Sequence, residues 1–159
     1  MKNPAHAPTR VPSPGAPASA DAACYDAVVV GGGPSGATAA LELARAGHRV
    51  LLLDRAGRTK PCGGAVPPQL LVDFAVPRDV LEAEVDAARM IAPSARAVDM
   101  PIETGFVGMV ERGAFDEWLR NRAAEGGATR ATGTFLGFDA PDGEHAVLRY
   151  RAGRKGSGG

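Results

Sequence analysis

One stretch decides the fold: Val28-Val29-Val30-Gly31-Gly32-Gly33-Pro34-Ser35-Gly36. A β-branched run ends in glycines, which cannot continue a strand, and helix-forming residues follow from Ala37 to Ala46. Gly47 indicates a helix stop, and Val50 to Leu53 is a second apolar run of strand length, typical of a covered parallel sheet. Residues 25–54 therefore have the size of one βαβ unit and predict an α/β, Rossmann-like fold.

The glycines of this stretch follow the spacing G-x-G-x-x-G, at Gly31, Gly33 and Gly36. The first permits a tight turn, the second leaves room for a pyrophosphate, and the third allows the helix to pack closely on the strand. Pro34 and Ser35 lie between the second and third glycines, just before the predicted helix, whose unpaired amide hydrogens and dipole favour a negative group. The pattern predicts dinucleotide binding.

An acidic residue follows where such a site needs one. Asp54 comes 18 residues after Gly36, at the end of the second strand, from which a carboxylate can reach both hydroxyls of an adenosine ribose. Arg55 would suit a 2′-phosphate, but Asp54 would repel that group, so a ribose without it fits better. FAD and NAD both meet this requirement, and a glycine-rich turn beside a solvated acid is the alternative without a ligand.

The composition excludes several classes of protein. The chain has 18 basic and 18 acidic residues, so it lacks the net positive charge of a nucleic-acid binder. Two cysteines are too few for a disulfide scaffold and indicate a reducing, cytoplasmic compartment. Neither a run of 18 apolar residues nor a metal-ligand spacing occurs in the sequence, so we expect no spanning segment and no metal site.

The remaining patterns divide the chain into a Pro/Ala-rich leader at 1–24, predicted to be disordered, and a partial cofactor-binding domain at 25–159. Within that domain we expect a loop at 60–68 and an α+β region at 85–150. The predicted elements are a helix at Pro67–Phe74, a hairpin of Val85–Ile91 and Arg96–Ile102, a strand at Phe106–Val110, an amphipathic helix at Gly113–Glu125, and a hairpin of Thr134–Phe138 and His145–Tyr150 around Pro141-Asp142-Gly143.

Three segments together resemble the geranylgeranyl reductase family, in its branch from bacteriochlorophyll and chlorophyll biosynthesis. They are Tyr25-Asp-Ala-Val-Val-Val-Gly-Gly-Gly-Pro-Ser-Gly-Ala-Thr-Ala-Ala40, Lys60-Pro-Cys-Gly-Gly-Ala-Val-Pro-Pro68, and Gly108-Met-Val-Glu-Arg112 with Phe115-Asp-Glu-Trp-Leu119. Many flavoproteins share the first segment, whereas its combination with the other two is more particular. The resemblance extends from Tyr25 to Tyr150.

The resemblance implies an FAD-dependent reductase with the flavoprotein fold of the aromatic hydroxylases. Such enzymes use NADPH to reduce double bonds of a geranylgeranyl chain, carried by a diphosphate or by a chlorophyllide, to a phytyl chain. The isoprenoid substrate implies peripheral contact with the photosynthetic membrane. A related FAD-dependent monooxygenase is an alternative, and the loop at 60–64 argues against it.

The same resemblance assigns roles to individual residues. It places the FAD pyrophosphate at the glycine loop, the adenosine at Asp54 and Arg55, and the flavin beside Gly63, Gly64 and Arg112. An arginine that merely flanks a surface helix is the alternative for Arg112.

Cys62 has two interpretations. A thiol beside the flavin could donate the proton that alkene reduction requires, or it could be a small filler, which the sequence favours.

Members of the family are much longer than this chain. They add a second FAD motif with a Gly-Asp pair, further strands of the Rossmann sheet, and most of the isoprenoid pocket. We therefore expect a fragment with two strands and one crossover helix of an incomplete sheet, inactive alone and unable to retain FAD. A catalytically silent nucleotide-binding remnant, or a subunit that depends on a partner, is the alternative from another class.

Overall fold

The computed structural model describes residues 24–55, 61–139 and 146–153. Within these ranges the chain forms nine strands and three α-helices. In chain order they are β1 (Ala27–Val30), α1 (Pro34–Arg45), β2 (Val50–Asp54), β3 (Ala65–Val66), α2 (Pro68–Asp73), β4 (Ala83–Val85), β5 (Ala87–Ile91), β6 (Ala97–Pro101), β7 (Val107–Met109), α3 (Arg112–Glu125), β8 (Thr129–Phe138) and β9 (Leu148–Ala152). A 3-10 turn spans Arg78–Val80. The leader predicted at 1–24, apart from its last residue, and the turn Pro141-Asp142-Gly143 lie outside the described residues.

The predicted βαβ unit is confirmed. β1 and β2 pair in parallel, with Val29 opposite Leu52, and α1 connects them. The helix begins at Pro34, three residues before the predicted start at Ala37, because the fixed φ of proline suits the first helical position. Gly31 makes the turn out of β1 with a φ of +107°, a conformation that side chains other than glycine rarely adopt.

The main sheet has four strands in the order β1-β2-β8-β9. β8 is a third parallel strand, with Leu52 opposite Arg130, so the expectation of only two sheet strands was wrong. We predicted this strand only from Thr134, because Thr129 to Gly133 lacks an apolar run. Its position in the sheet depends instead on backbone pairing with β2. The second half of β8 pairs antiparallel with β9 across a bulge, which confirms the predicted hairpin.

Two smaller antiparallel sheets complete the α+β arrangement. One has the order β3-β7-β4, so the loop predicted at 60–68 contains a short strand. The other is the predicted hairpin of β5 and β6, in which Arg89 lies opposite Asp99. Val85, expected in that hairpin, instead belongs to β4 and pairs with Val107.

The core lies between β2 and the two long helices. Val50 and Leu52 of β2 are buried in one cluster with Ala40 of α1 and Ala123 of α3, which are both fully buried. Alanine at these two positions allows close packing, since neither has a side chain that would separate its helix from the neighbouring elements. Among the residues in the described ranges, no helix has the length and apolar character needed to span a membrane.

Candidate nucleotide site

The turn between β1 and α1 shows what two of its glycines do. A Cβ atom built on Gly36 would overlap the carbonyl oxygen of Gly31, so only glycine lets the helix leave the strand at this angle. A Cβ atom on Gly33 would meet no atom within 4 Å. Gly36 is thus required by the fold, whereas Gly33 borders open space of the kind that a bound phosphate needs.

The N-terminus of α1 has no side-chain cap. Gly33 occupies the N-cap position and, as a glycine, has no side chain that could accept a hydrogen bond from the first turn. At α3 the corresponding position is filled by Glu111, whose carboxylate accepts hydrogen bonds from Gly113 N at 2.8 Å and Ala114 N at 2.7 Å. The first turn of α1 therefore offers amide hydrogens to an anion, while the first turn of α3 already has one.

Asp54 lies next to this turn. Its Oδ2 accepts a hydrogen bond of 2.6 Å from the backbone N–H of Gly32, and its side chain is 27% exposed. A carboxylate has about four acceptor positions, so both ribose hydroxyls could still bind. Arg55 is exposed beside it.

Arg120 of α3 reaches the same place from the other side. Its Nη1 donates a 3.1 Å hydrogen bond to the carbonyl oxygen of Gly32 and lies 3.8 Å from Oδ1 of Asp54. Its Nε donates to Glu117 at 2.9 Å. The sequence analysis missed Arg120, because its role depends on where α3 packs and no local pattern shows that.

A pocket of about 540 Å³ opens beside the first turn of α1. Pro34 and Ser35 form part of its wall, and Cys62, Gly64 and Arg112 form another part. Most of the other lining residues are apolar and include Val66, Pro67, Leu70, Phe74, Val76, Val110, Phe115 and Leu119. The pocket therefore adjoins the glycine loop directly, and its lining is mostly apolar with a few polar groups.

Arg112 is fixed at the rim by an ion pair. Its guanidinium binds the carboxylate of Asp116, one turn further along α3, at 2.9 Å, and the two side chains are 15% and 10% exposed. A buried charge needs such a partner. The i, i+4 spacing was visible in the sequence, yet Asp116 was not identified as a partner.

Cys62 is exposed at the same rim. The backbone N–H of Gly64, and next the guanidinium of Arg112, lower the pKa of its thiol by stabilising the thiolate. The arrangement makes Cys62 a better acid than an isolated cysteine.

The two glycines after Cys62 differ. Gly64 is buried with a φ of +71°, and a Cβ there would overlap the carbonyl oxygen of Val110, so the chain path requires it. A Cβ on Gly63 would meet nothing within 4 Å. Gly63 is therefore free of this backbone constraint, whereas Gly64 lines the pocket.

The predicted site residues therefore lie in two adjoining regions. The glycine loop with Asp54 and Arg55 forms one end, and Cys62, Gly64 and Arg112 line the other, with Gly63 exposed between the first two in the chain. Pro34 and Ser35 belong to both, since they start α1 and line the pocket. An extended dinucleotide has this bipartite shape. A Rossmann-like sheet with such a site defines a dinucleotide-binding domain of the flavoprotein type.

Comparison with protein families identifies the cofactor class that the loop alone left open. The family model described as FAD dependent oxidoreductase matches residues 26–158, and the chain belongs to that family.

Several relatives and one solved structure to which the chain is similar are named as geranylgeranyl reductases or as similar to one. The chain is 59% identical over 124 residues to a geranylgeranyl diphosphate reductase of Rhodobacter capsulatus, and 43% identical over 132 residues to the chloroplastic one of Nicotiana tabacum. Each match covers 78% of this chain. The structure of a geranylgeranyl bacteriochlorophyll reductase-like protein from Thermoplasma acidophilum superposes with a TM-score of 0.72 at 30% identity, over 80% of this chain. The resemblance to geranylgeranyl reductases is thus confirmed.

This chain is short beside all three. It spans 32% of the Rhodobacter capsulatus protein, 28% of the Nicotiana tabacum protein and 35% of the Thermoplasma acidophilum chain. The matched part of this chain therefore spans about a third of the length of these relatives.

Two glycine substitutions should separate folding from binding. Gly36→Ala should lower the free energy of unfolding by about 1–3 kcal/mol, because the added methyl overlaps backbone. Gly33→Ala should cost less, at most about 1 kcal/mol from the change at the N-cap, yet weaken FAD binding by filling the open space. Urea denaturation followed by circular dichroism, with FAD titration of both variants, checks this. Equal destabilisation by the two substitutions would contradict the account.

The acidity of Cys62 is also testable. With Cys24→Ser as background, Cys62 is the single thiol, and the rate of alkylation by iodoacetamide against pH reports its pKa. We expect a pKa below that of free cysteine, raised by Arg112→Gln, with Arg89→Gln in the distant hairpin as the control. A profile that Arg112→Gln does not move would show that Arg112 does not stabilise the thiolate.

Proposed function

We propose that this chain supplies the FAD-binding part of a geranylgeranyl reductase. The enzyme would take electrons from NADPH and saturate double bonds of a geranylgeranyl chain carried by a diphosphate or a chlorophyllide. One observation carries the proposal: the glycine loop continues directly, through Pro34 and Ser35, into a pocket with Cys62 and Arg112 at its rim. The names of the relatives support reduction of a geranylgeranyl diphosphate.

The fit to FAD rests on features of the chain itself. The open space at Gly33 and the uncapped start of α1 suit the pyrophosphate, with Gly31 and Gly36 shaping the turn. Asp54 would accept hydrogen bonds from the adenosine ribose.

At the other end, Arg112 and Gly63 would contact the flavin side of the cofactor, and Arg55 would lie near the adenine. Asp116 would hold the Arg112 guanidinium in place. When bound, FAD supplies the hydride chemistry.

Cys62 would supply the proton. Reduction of an alkene adds a hydride to one carbon and a proton to the other, and the Sγ–H of Cys62 would provide the latter. The thiolate that remains would be stabilised by Gly64 N–H and by Arg112. The exposure of Cys62 supports this role over that of a packed filler.

The match spans 32% of the Rhodobacter capsulatus relative, so we place the substrate site and peripheral membrane contact in a protein of that relative's length. The 159-residue chain alone would bind FAD reversibly, without reducing a prenyl substrate.

The direct test compares FAD with FMN, which lacks the adenosine half. Titration of the chain, followed by quenching of flavin fluorescence, should show binding of FAD and much weaker binding of FMN. Asp54→Asn should weaken FAD binding by about 10–100-fold, the loss expected for about 1.5–3 kcal/mol of charge-assisted hydrogen bonding. Asp99→Asn, in the exposed β5–β6 hairpin, is the matched control and should change nothing.

Equal affinity for FMN and FAD would mean that the glycine loop does not bind the adenosine diphosphate. Absence of binding to both would favour a silent remnant.

A further inference from the structure

Gly32 is the glycine of the loop that the G-x-G-x-x-G pattern leaves unexplained. A Cβ at this position would lie 2.8 Å from Cδ of Arg120 and 3.0 Å from Cβ of Asp54. Real Cβ atoms do not approach other atoms this closely. The crowding shows that the aliphatic part of Arg120 packs directly over the loop, so the loop and α3 are fitted to one another at this point.

The guanidinium of Arg120 contacts both the glycine loop and Asp54. Nη1 donates to the carbonyl oxygen of Gly32 at 3.1 Å and lies 3.8 Å from Oδ1 of Asp54, while Oδ2 of Asp54 accepts from Gly32 N at 2.6 Å. One guanidinium therefore contacts the carbonyl of Gly32 and the Asp54 carboxylate, which itself accepts a hydrogen bond from the N–H of Gly32. Rotation of the Asp54 side chain would disturb this set of contacts.

Arg120 is itself held in place. Its side chain is 19% exposed, and its Nε donates a hydrogen bond to Glu117. The carboxylate of Glu117 also forms an ion pair with Nη1 of Arg130 in β8 at 2.9 Å. The hydrogen bond from Arg130, opposed by burial and reinforced by Arg120, lowers the pKa of Glu117. Glu117 is thus kept ionised, and the chain of contacts runs from β8 through α3 to the loop.

The bond to Gly32 also orients the next amide. The carbonyl of Gly32 and the N–H of Gly33 belong to one trans peptide, in which the two groups point in opposite directions. Because Arg120 draws the carbonyl toward α3, the N–H of Gly33 points away from α3. That amide lies at the N-cap of α1, where the open space begins.

We propose that Arg120 is a positioning residue of the nucleotide site. It holds the Asp54 carboxylate and the Gly32–Gly33 peptide in the orientation that accepts an adenosine diphosphate. The inference rests on the proposed function, since it assigns Arg120 to the FAD site. It adds a specific requirement: affinity for the adenosine half depends on an arginine of α3, remote from the loop in sequence.

The test uses ADP as the probe, with isothermal titration of the 159-residue chain. Arg120→Met keeps the aliphatic stem and removes the charge, and it should weaken ADP binding about tenfold, the loss expected of one charge-assisted hydrogen bond. Arg120→Lys should recover part of that loss. Arg122→Met, two residues along the same helix, is the matched control, because Arg122 contacts Phe74 and Trp118 rather than the loop.

A double-mutant cycle separates positioning from general stabilisation. If Arg120 acts through Asp54, Arg120→Met should cost little further affinity in an Asp54→Asn background. Independent, multiplying losses would overturn the part of the inference in which Arg120 acts through Asp54, and wild-type affinity in Arg120→Met would overturn the whole. If thermal unfolding shows that Arg120→Met is not folded, Arg120→Lys decides, with wild-type affinity in that variant contradicting the inference.

Failure of the unmodified chain to bind ADP and FAD would instead contradict the proposed function, and the inference with it.

Discussion

The closest backbone approach in the loop, between Gly36 and the carbonyl of Gly31, determines how the nucleotide end is built. Since no side chain fits between them, α1 leaves β1 at a fixed angle. Asp54 ends β2 beside the loop and is joined to it through Gly32 N. The same angle sets the course of α1, which places Ala40 in the core.

Helix α3 joins the two ends of the site. Its first residue, Arg112, lies at the rim of the pocket, and two turns later Arg120 packs against the glycine loop. Asp116 and Glu117 between them hold these two arginines in place. One helix therefore places an arginine at each end of an elongated site.

Sequence could predict the parts of the fold that are contiguous. The βαβ unit, the hairpin of β5 and β6, and α3 all have local patterns of apolar residues and glycines. The parallel pairing of β8 could not be predicted, because residues 129–133 are small or polar and their partner strand lies far away in sequence. For the same reason the glycine loop and Asp54 were evident, whereas the contact of Arg120 with Gly32, across 88 positions, was not.

The central claim is that the first turn of α1, with Asp54 and the Cys62 rim, forms one continuous site for FAD. Amide hydrogen exchange of the 159-residue chain, with and without saturating FAD, tests it most directly. The account predicts slower exchange in peptides covering 31–36, 54 and 62–64, and unchanged exchange in the β5–β6 hairpin. Unchanged exchange at 31–36 under saturating FAD would contradict it.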